Sequence, residues 1–288
     1  VIGHTTYDIK FYEDNLFYGR IDAESKLEFD LNATILNLGF ESFFFNDRFQ
    51  LRFNYGQSVI THGGNFRDRD WINNDLINLY YEPLMGDTDS DVDSDLKRYE
   101  VIFRWNILNI KDRIRLFANC GYEHQTWGTF KARNIEGFYS GLLSDSGYIE
   151  TFSETYSFDV LTYDVEYDIY YCGVGLDFNL KDKWIIEVLL DLGSVYAEDK
   201  DDHVLRMKMA ESETDGLYIG LKVSGGIKIT RYFIIKAFVS LKTIDTDGTQ
   251  YQYEYDYYGN PTVIIGDVSD EITSDQTYFG IKGTVVFG

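Results

Sequence analysis

A period of two runs through most of this 288-residue chain. From Leu217 one set of alternate residues reads Leu217, Ile219, Leu221, Val223, Gly225, Ile227 and Ile229. The set between them reads Tyr218, Gly220, Lys222, Ser224, Gly226, Lys228 and Thr230. Successive side chains of a strand point to opposite faces, so the segment is a strand with one apolar and one polar side. From Arg113, residues Ile114, Leu116, Ala118, Cys120 and Tyr122 alternate with Arg115, Phe117, Asn119, Gly121 and Glu123. Tyr170, Cys172, Val174, Leu176, Phe178 and Leu180 form a third apolar row, and Phe279, Ile281, Gly283, Val285 and Phe287 a fourth.

Several of these strands exceed the roughly five to six residues usual in globular proteins. Asn46-Asp47, Asn109 to Asp112, Lys181 to Lys183 and Thr230-Arg231 read as tight connections, whereas 63–95, 134–160, 197–214 and 245–274 are long and acidic. Short turns at one end and long loops at the other are the asymmetry of an outer-membrane barrel. The 24 tyrosines and 21 phenylalanines suit its interfacial girdles. About ten strands can be counted, an even number as such barrels require, with the first hairpin, within residues 4–31, the least sharply patterned. The expected fold is therefore all-β: a ten-stranded antiparallel transmembrane β-barrel with long extracellular loops, one domain over residues 1–288.

Composition narrows the function. Lys+Arg 26 against Asp+Glu 48 leaves a net charge of −22, opposite to the basic footprint that nucleic acid demands. With 44% hydrophobic residues the chain is too apolar for a disordered acidic segment. Two prolines and two cysteines exclude a proline-rich stalk or a disulfide scaffold. No run reaches the ~18 apolar residues of a membrane-spanning helix, and the mean hydropathy of −0.28 is ordinary for a barrel that hides its apolar face in alternation. Val1-Ile2-Gly3-His4 has no basic and apolar leader, so any secretion signal is expected to have been removed.

Two motifs carry candidate chemistry. In Gly63-Gly64-Asn65-Phe66-Arg67-Asp68-Arg69-Asp70-Trp71, an extended backbone puts Asp68 and Asp70 on one face, where paired carboxylates can share a proton or position a water. In Asp199-Lys200-Asp201-Asp202-His203, the same spacing lets Asp201 orient the His203 imidazole and raise its basicity. Each alone is also what a solvated loop of mixed charge looks like.

Together the two motifs resemble those of the omptins, outer-membrane endopeptidases of Gram-negative bacteria. GGNFRDRDW is similar to their Gly-Gly-Asn-x-x-Asp-x-Asp-Trp and DKDDH to their Asp-Asn-Asp-Glu-His, while Gly121-Tyr122 and Phe130-x-Ala132-Arg133 extend the likeness. The resemblance implies that Asp68 and Asp70 face Asp201 and His203 across the barrel mouth. These four would hydrolyse peptides through a water held between aspartate and histidine, without a covalent nucleophile. It implies that Asp199, placed by its motif in a wet loop region, lines a pocket for a basic side chain before the cut. Glu24 is expected as its acidic partner. Basic peptides would be substrates, concentrated by an acidic mouth. A monomer is expected, needing no cofactor, metal or nucleic acid, in the outer membrane with its site facing outwards.

Tyr122 matches a tyrosine with which omptins hold lipopolysaccharide, their activator, but His124, Thr126 and Glu166 stand where the family has a glutamate and two arginines. A carboxylate beside lipid phosphate is repulsive, so weak lipopolysaccharide binding is expected, with activity independent of the lipid or absent in every lipid condition. The chain also ends Phe287-Gly288, where such barrels commonly end in an aromatic residue. Asp87, Asp89, Asp91, Asp93 and Asp95 alternate as calcium ligands can, but the central Gly and final Glu of an EF-hand loop are missing. Cys120 and Cys172 fall on apolar faces of adjacent strands, as a cross-strand disulfide or as two lipid-facing thiols. Rival functions are a barrel of the same fold acting as a non-catalytic adhesin or binding protein, and a small porin, for which ten strands leave little lumen.

Overall fold

The computed structural model describes residues 1–15, 19–61, 64–73, 83–110, 113–140, 148–180, 183–230 and 232–285. Gly63, the centres of three of the expected turns (111–112, 181–182 and 231) and the Phe287-Gly288 end lie outside them. Thirteen strands form one sheet: β1 (Ile2–Asn15), β2 (Gly19–Phe44), β3 (Phe49–Thr61), β4 (Gly64–Asn73), β5 (Leu84–Ile110), β6 (Ile114–Ala132), β7 (Asn134–Tyr139), β8 (Glu150–Thr155), β9 (Leu161–Leu180), β10 (Trp184–His203), β11 (Lys208–Thr230), β12 (Phe233–Tyr255) and β13 (Pro261–Val285). Every pairing is antiparallel, and β1 closes the ring by bonding both β2 and β13.

The count of ten survives. β3 and β4 lie in line, both between β2 and β5, and make one staggered wall. The β7–β8 hairpin prolongs the β6–β9 hairpin upward, β7 taking through Gly86 to Asp89 the edge of β5 that β6 takes below. Ten walls remain: β1, β2, β3 with β4, β5, β6 with β7, β9 with β8, β10, β11, β12 and β13.

Alternation decides which way each wall faces. On β11 Leu217 is 68% exposed and its neighbour Tyr218 4%. Trp184, Ile186, Val188, Leu190 and Leu192 on β10, with Val174 and Leu176 on β9, continue the exposed apolar band. Nine residues from Trp184 to Leu192 match the ~9–11 with which a tilted strand crosses the hydrocarbon core. Within this band the lumen is filled by ion pairs: Lys242 Nζ donates to both oxygens of Glu123 (2.6 and 2.5 Å), and Arg104 bonds Asp177 and Glu187. Cys120 and Cys172 oppose each other in the β6–β9 register and are disulfide-bonded on the outer face.

The long acidic stretches expected as loops are largely strand, carrying the walls past the apolar band. Each upper segment keeps the period of two, and a barrel wall satisfies its backbone groups with its neighbours, so the ladder continues into water. Asp87 to Asp95 accordingly lie on β5, pointing outward, with Asp87 held by Arg67 at 2.6 and 2.8 Å and Asp91 accepting from Asn134 Nδ2 at 3.3 Å. At the other end β2 turns into β3 through Phe45, Asn46 and Asp47, all in the left-handed region (φ 52°, 57° and 63°), which Asn and Asp tolerate best.

Candidate active site

Phe66, Asp68 and Asp70 occupy successive inward positions of β4, and Asp199, Asp201 and His203 those of β10. β4 sits between β2 and β5, β10 between β9 and β11, so the two rows face each other across the ring above the apolar band. Beneath them an aromatic floor spans the lumen. Phe29 from β2 packs on Phe66 (4.9 Å between ring centroids), Phe130 of β6 (4.8 Å) and Tyr163 of β9 (4.6 Å), and Tyr163 reaches Tyr7 of β1 (5.5 Å). All five rings are fully buried, so the site stands on a low-dielectric base.

That base explains the electrostatics. His203 Nε2 bonds Asp201 Oδ2 at 2.8 Å, and Asp201 is 2% exposed. Burial opposes the imidazolium, yet the adjacent Asp201 carboxylate outweighs it and the net shift of His203 is upward. Asp68 is 6% exposed; burial, then the like charge of Asp70, push its carboxyl up to about 7. The site thus pairs an acid that can keep its proton near neutrality with a histidine braced by a carboxylate, the pKa arrangement of an acid–base centre. Asp68 and His203 line one cleft of about 350 Å³. Gly86, opposite Asp70, gives the room this needs: a Cβ there would lie 3.1 Å from the Tyr139 ring and 3.3 Å from Asp70 Oδ2.

Asp199 is not in a wet loop. It faces inward on β10 at 6% exposure, two positions below Asp201, and accepts a hydrogen bond from Ser212 Oγ. Burial, and then Asp270 of β13, hold its carboxyl well above the usual range; burial likewise pushes Asp270 up to about 7. Asp199 Oδ2, both Asp270 oxygens and the hydroxyls of Tyr7, Tyr163 and Tyr167 are buried with no hydrogen-bond partner. Glu24 does not join this group. Ala23, Leu27 and Phe29 face inward on β2, so even-numbered Glu24 points to the outer side, across from Lys10 and Trp71 in the register. The acid that approaches Asp199 is Asp270. Extending the outward row of Phe279 and Ile281 up β13 turns Asp270 inward by parity, but does not by itself place it near Asp199. Arg206 and Lys208 also approach the site, and burial lowers the Lys208 pKa. Lys208 lies opposite His203 in the β10–β11 register, whereas only the 3-10 turn Val204–Arg206 brings Arg206 in.

On the outer wall Tyr122 donates to Asp168 Oδ1 at 2.5 Å, and His124 bridges the same oxygen (2.8 Å) and Thr126 Oγ1 (3.1 Å). Glu166 is exposed in register with Thr126 and Glu198. Among the described residues no group of three or more His, Cys, Asp or Glu is arranged to hold a metal ion.

The architecture matches the crystal structure of the outer-membrane protease OmpT from Escherichia coli with a TM-score of 0.73, over 99% of this chain and 93% of that one, at 14% identity. The translocator domain of the autotransporter NalP from Neisseria meningitidis aligns over 99% and 87% of the two chains at 10% identity, with a TM-score of only 0.26. No curated protein matches by sequence. The model of the omptin family matches residues 21–269, from the early part of β2 into β13. The chain belongs to the omptin family of outer-membrane β-barrel proteins.

Proposed function

We propose that the barrel is an endopeptidase that hydrolyses peptides outside the cell with an activated water, cutting after basic residues. The observation that carries this reading is the His203–Asp201 bond at 2.8 Å, with His203 and Asp68 lining one cleft. Membership of the omptin family supports it.

Water sits between the Asp68 carboxyl and the His203 ring nitrogen not bonded to Asp201. It attacks the scissile carbonyl as His203 takes its proton, with Asp201 stabilising the imidazolium. The tetrahedral centre collapses when His203 returns that proton to the departing amine, which breaks the C–N bond. Asp68 and Asp70 hold the water, and the protonated fraction of Asp68 donates to the developing oxyanion. Asp199 and Asp270 receive the basic side chain before the cut. Their unpartnered oxygens and the three tyrosine hydroxyls supply acceptors that a guanidinium or ammonium group would satisfy. The protein acts as a monomer, without metal or cofactor, and its outer wall, where Glu166 faces lipid, binds lipopolysaccharide weakly.

The test is cleavage of an Arg-containing peptide by refolded protein, with His203→Ala as control. Cleavage that disappears in the variant while the barrel stays folded supports the enzyme. A folded, inactive wild type would favour a binding protein of the same fold.

A further inference from the structure

We propose that the cleft beside Asp68 and His203 is a subsite for a large apolar or aromatic side chain, that of the residue after the scissile bond; this rests on the endopeptidase reading. The cleft's volume of about 350 Å³ falls in the range of small-ligand pockets. Away from the two catalytic side chains its apolar wall is built by Ile135 and Tyr139 of β7, Phe152 of β8, Val160 and Leu161 at the entry to β9, and Leu205, with Thr88 and Ser90 of β5 adding a polar strip. The Tyr139 and Phe152 rings pack at 5.0 Å between centroids and give that wall a continuous aromatic surface.

A fixed cation already stands in the cleft, which disfavours a basic side chain there. Arg206 lines it, donating to Tyr139 Oη at 2.8 Å with its guanidinium 5.6 Å from the Tyr139 ring centroid. Among the described residues no carboxylate lies within ion-pair distance of Arg206. Besides Asp68, the one lining carboxylate is Glu154, exposed at the rim and already bonded by the Tyr156 hydroxyl. A lysine or arginine entering here would lose water, meet Arg206 and find no buried acid to pair with other than Asp68, which is committed to the water. A leucine or phenylalanine would exchange water for the hairpin's apolar wall. The acidic Asp199–Asp270 pair does not line this cleft, so the two sides of the cut are read by different chemistry.

The experiment compares Arg-Phe, Arg-Leu, Arg-Arg and Arg-Glu at the cut in one flanking sequence, using the refolded full chain. The kcat/KM for Arg-Phe and Arg-Leu should exceed that for Arg-Arg at least about tenfold. Phe152→Asp, at the upper end of the wall, should narrow or reverse that ratio, and Arg206→Gln should narrow it. Ratios taken within each variant are unaffected by a general loss of rate. Cleavage of Arg-Arg as fast as Arg-Phe by the wild type, or ratios unmoved in both variants, overturns the proposal. If the wild type cuts none of the four, the endopeptidase reading fails. Calorimetric binding of the uncleavable reduced-amide analogues then decides the cleft alone: tighter binding of the Arg-Phe analogue upholds it, and equal or tighter binding of Arg-Arg overturns it.

Discussion

Replacing Asp68 by Asn should stabilise the barrel at alkaline pH while disabling the site. Burial and Asp70 raise the Asp68 carboxyl from its ordinary 3.8 to about 7. The folded state therefore holds this proton more tightly than the unfolded chain, and between pH 4 and 7 it binds more protons. Stability must then fall as pH rises through that window, because ionisation is easier in the unfolded chain. At 1.36 kcal/mol per pH unit the full difference is about 4 kcal/mol, reached above pH 7. Relaxation of the mouth around a new charge reduces it, so roughly 2–4 kcal/mol is expected. Asparagine has the same shape and no ionisation, so it escapes the cost. Urea unfolding of both proteins in detergent should show near-equal stability at pH 4, a widening advantage for Asp68→Asn up to about pH 8, and no further change above. Peptide cleavage should fall by ~10²-fold or more, the trade of stability for function common at active sites. Parallel stability curves across pH 4 to 8, or a less stable variant at pH 8, would show that Asp68 is not held in a desolvated site.

His203→Ala and Asp201→Ala should each remove ~10²–10⁴-fold of the cleavage rate, and the double variant little more than the worse single one, since both act on one proton transfer; additive losses in refolded protein would separate their roles. The kcat/KM profile should rise with pH above the ordinary histidine value of 6.5, because His203 must be neutral to accept a proton and its pKa is raised. Asp68 contributes to that rise, so Asp68→Asn should move the limb in the residual activity to lower pH, and an unmoved limb would assign it to another group. Asp270→Asn should weaken preference for Arg or Lys before the cut about as much as Asp199→Asn does, whereas Glu24→Gln should leave it unchanged; a specificity change in Glu24→Gln alone would return the pocket to β2. Glu166→Arg with Thr126→Arg should strengthen lipopolysaccharide binding in a vesicle pull-down, and strong activation of the unaltered protein by that lipid would locate the lipid site elsewhere.

Local periodicity determined much of this protein. Strand identity, the outward apolar rows on β6, β9, β11 and β13 and the approach of Asp68 and Asp70 to one side of β4 all follow from side chains alternating along an extended backbone, which the order of residues states directly. The pairing of Asp201 with His203 is legible for the same reason, since two residues apart on a strand means neighbours on one face. What crosses the barrel was not legible. That Asp270 rather than Glu24 stands beside Asp199 depends on the parity of two strands far apart in sequence, and one residue of register moves a side chain to the opposite face. The strand character of the acidic upper segments was hidden because their charges resemble those of loops, and only the neighbouring walls supply the ladder that keeps them extended. The Asp68 proton, the aromatic floor and the Arg206-bearing cleft are likewise tertiary. Each is set by how many low-dielectric groups from five or more strands converge on one point, a quantity that no single segment contains.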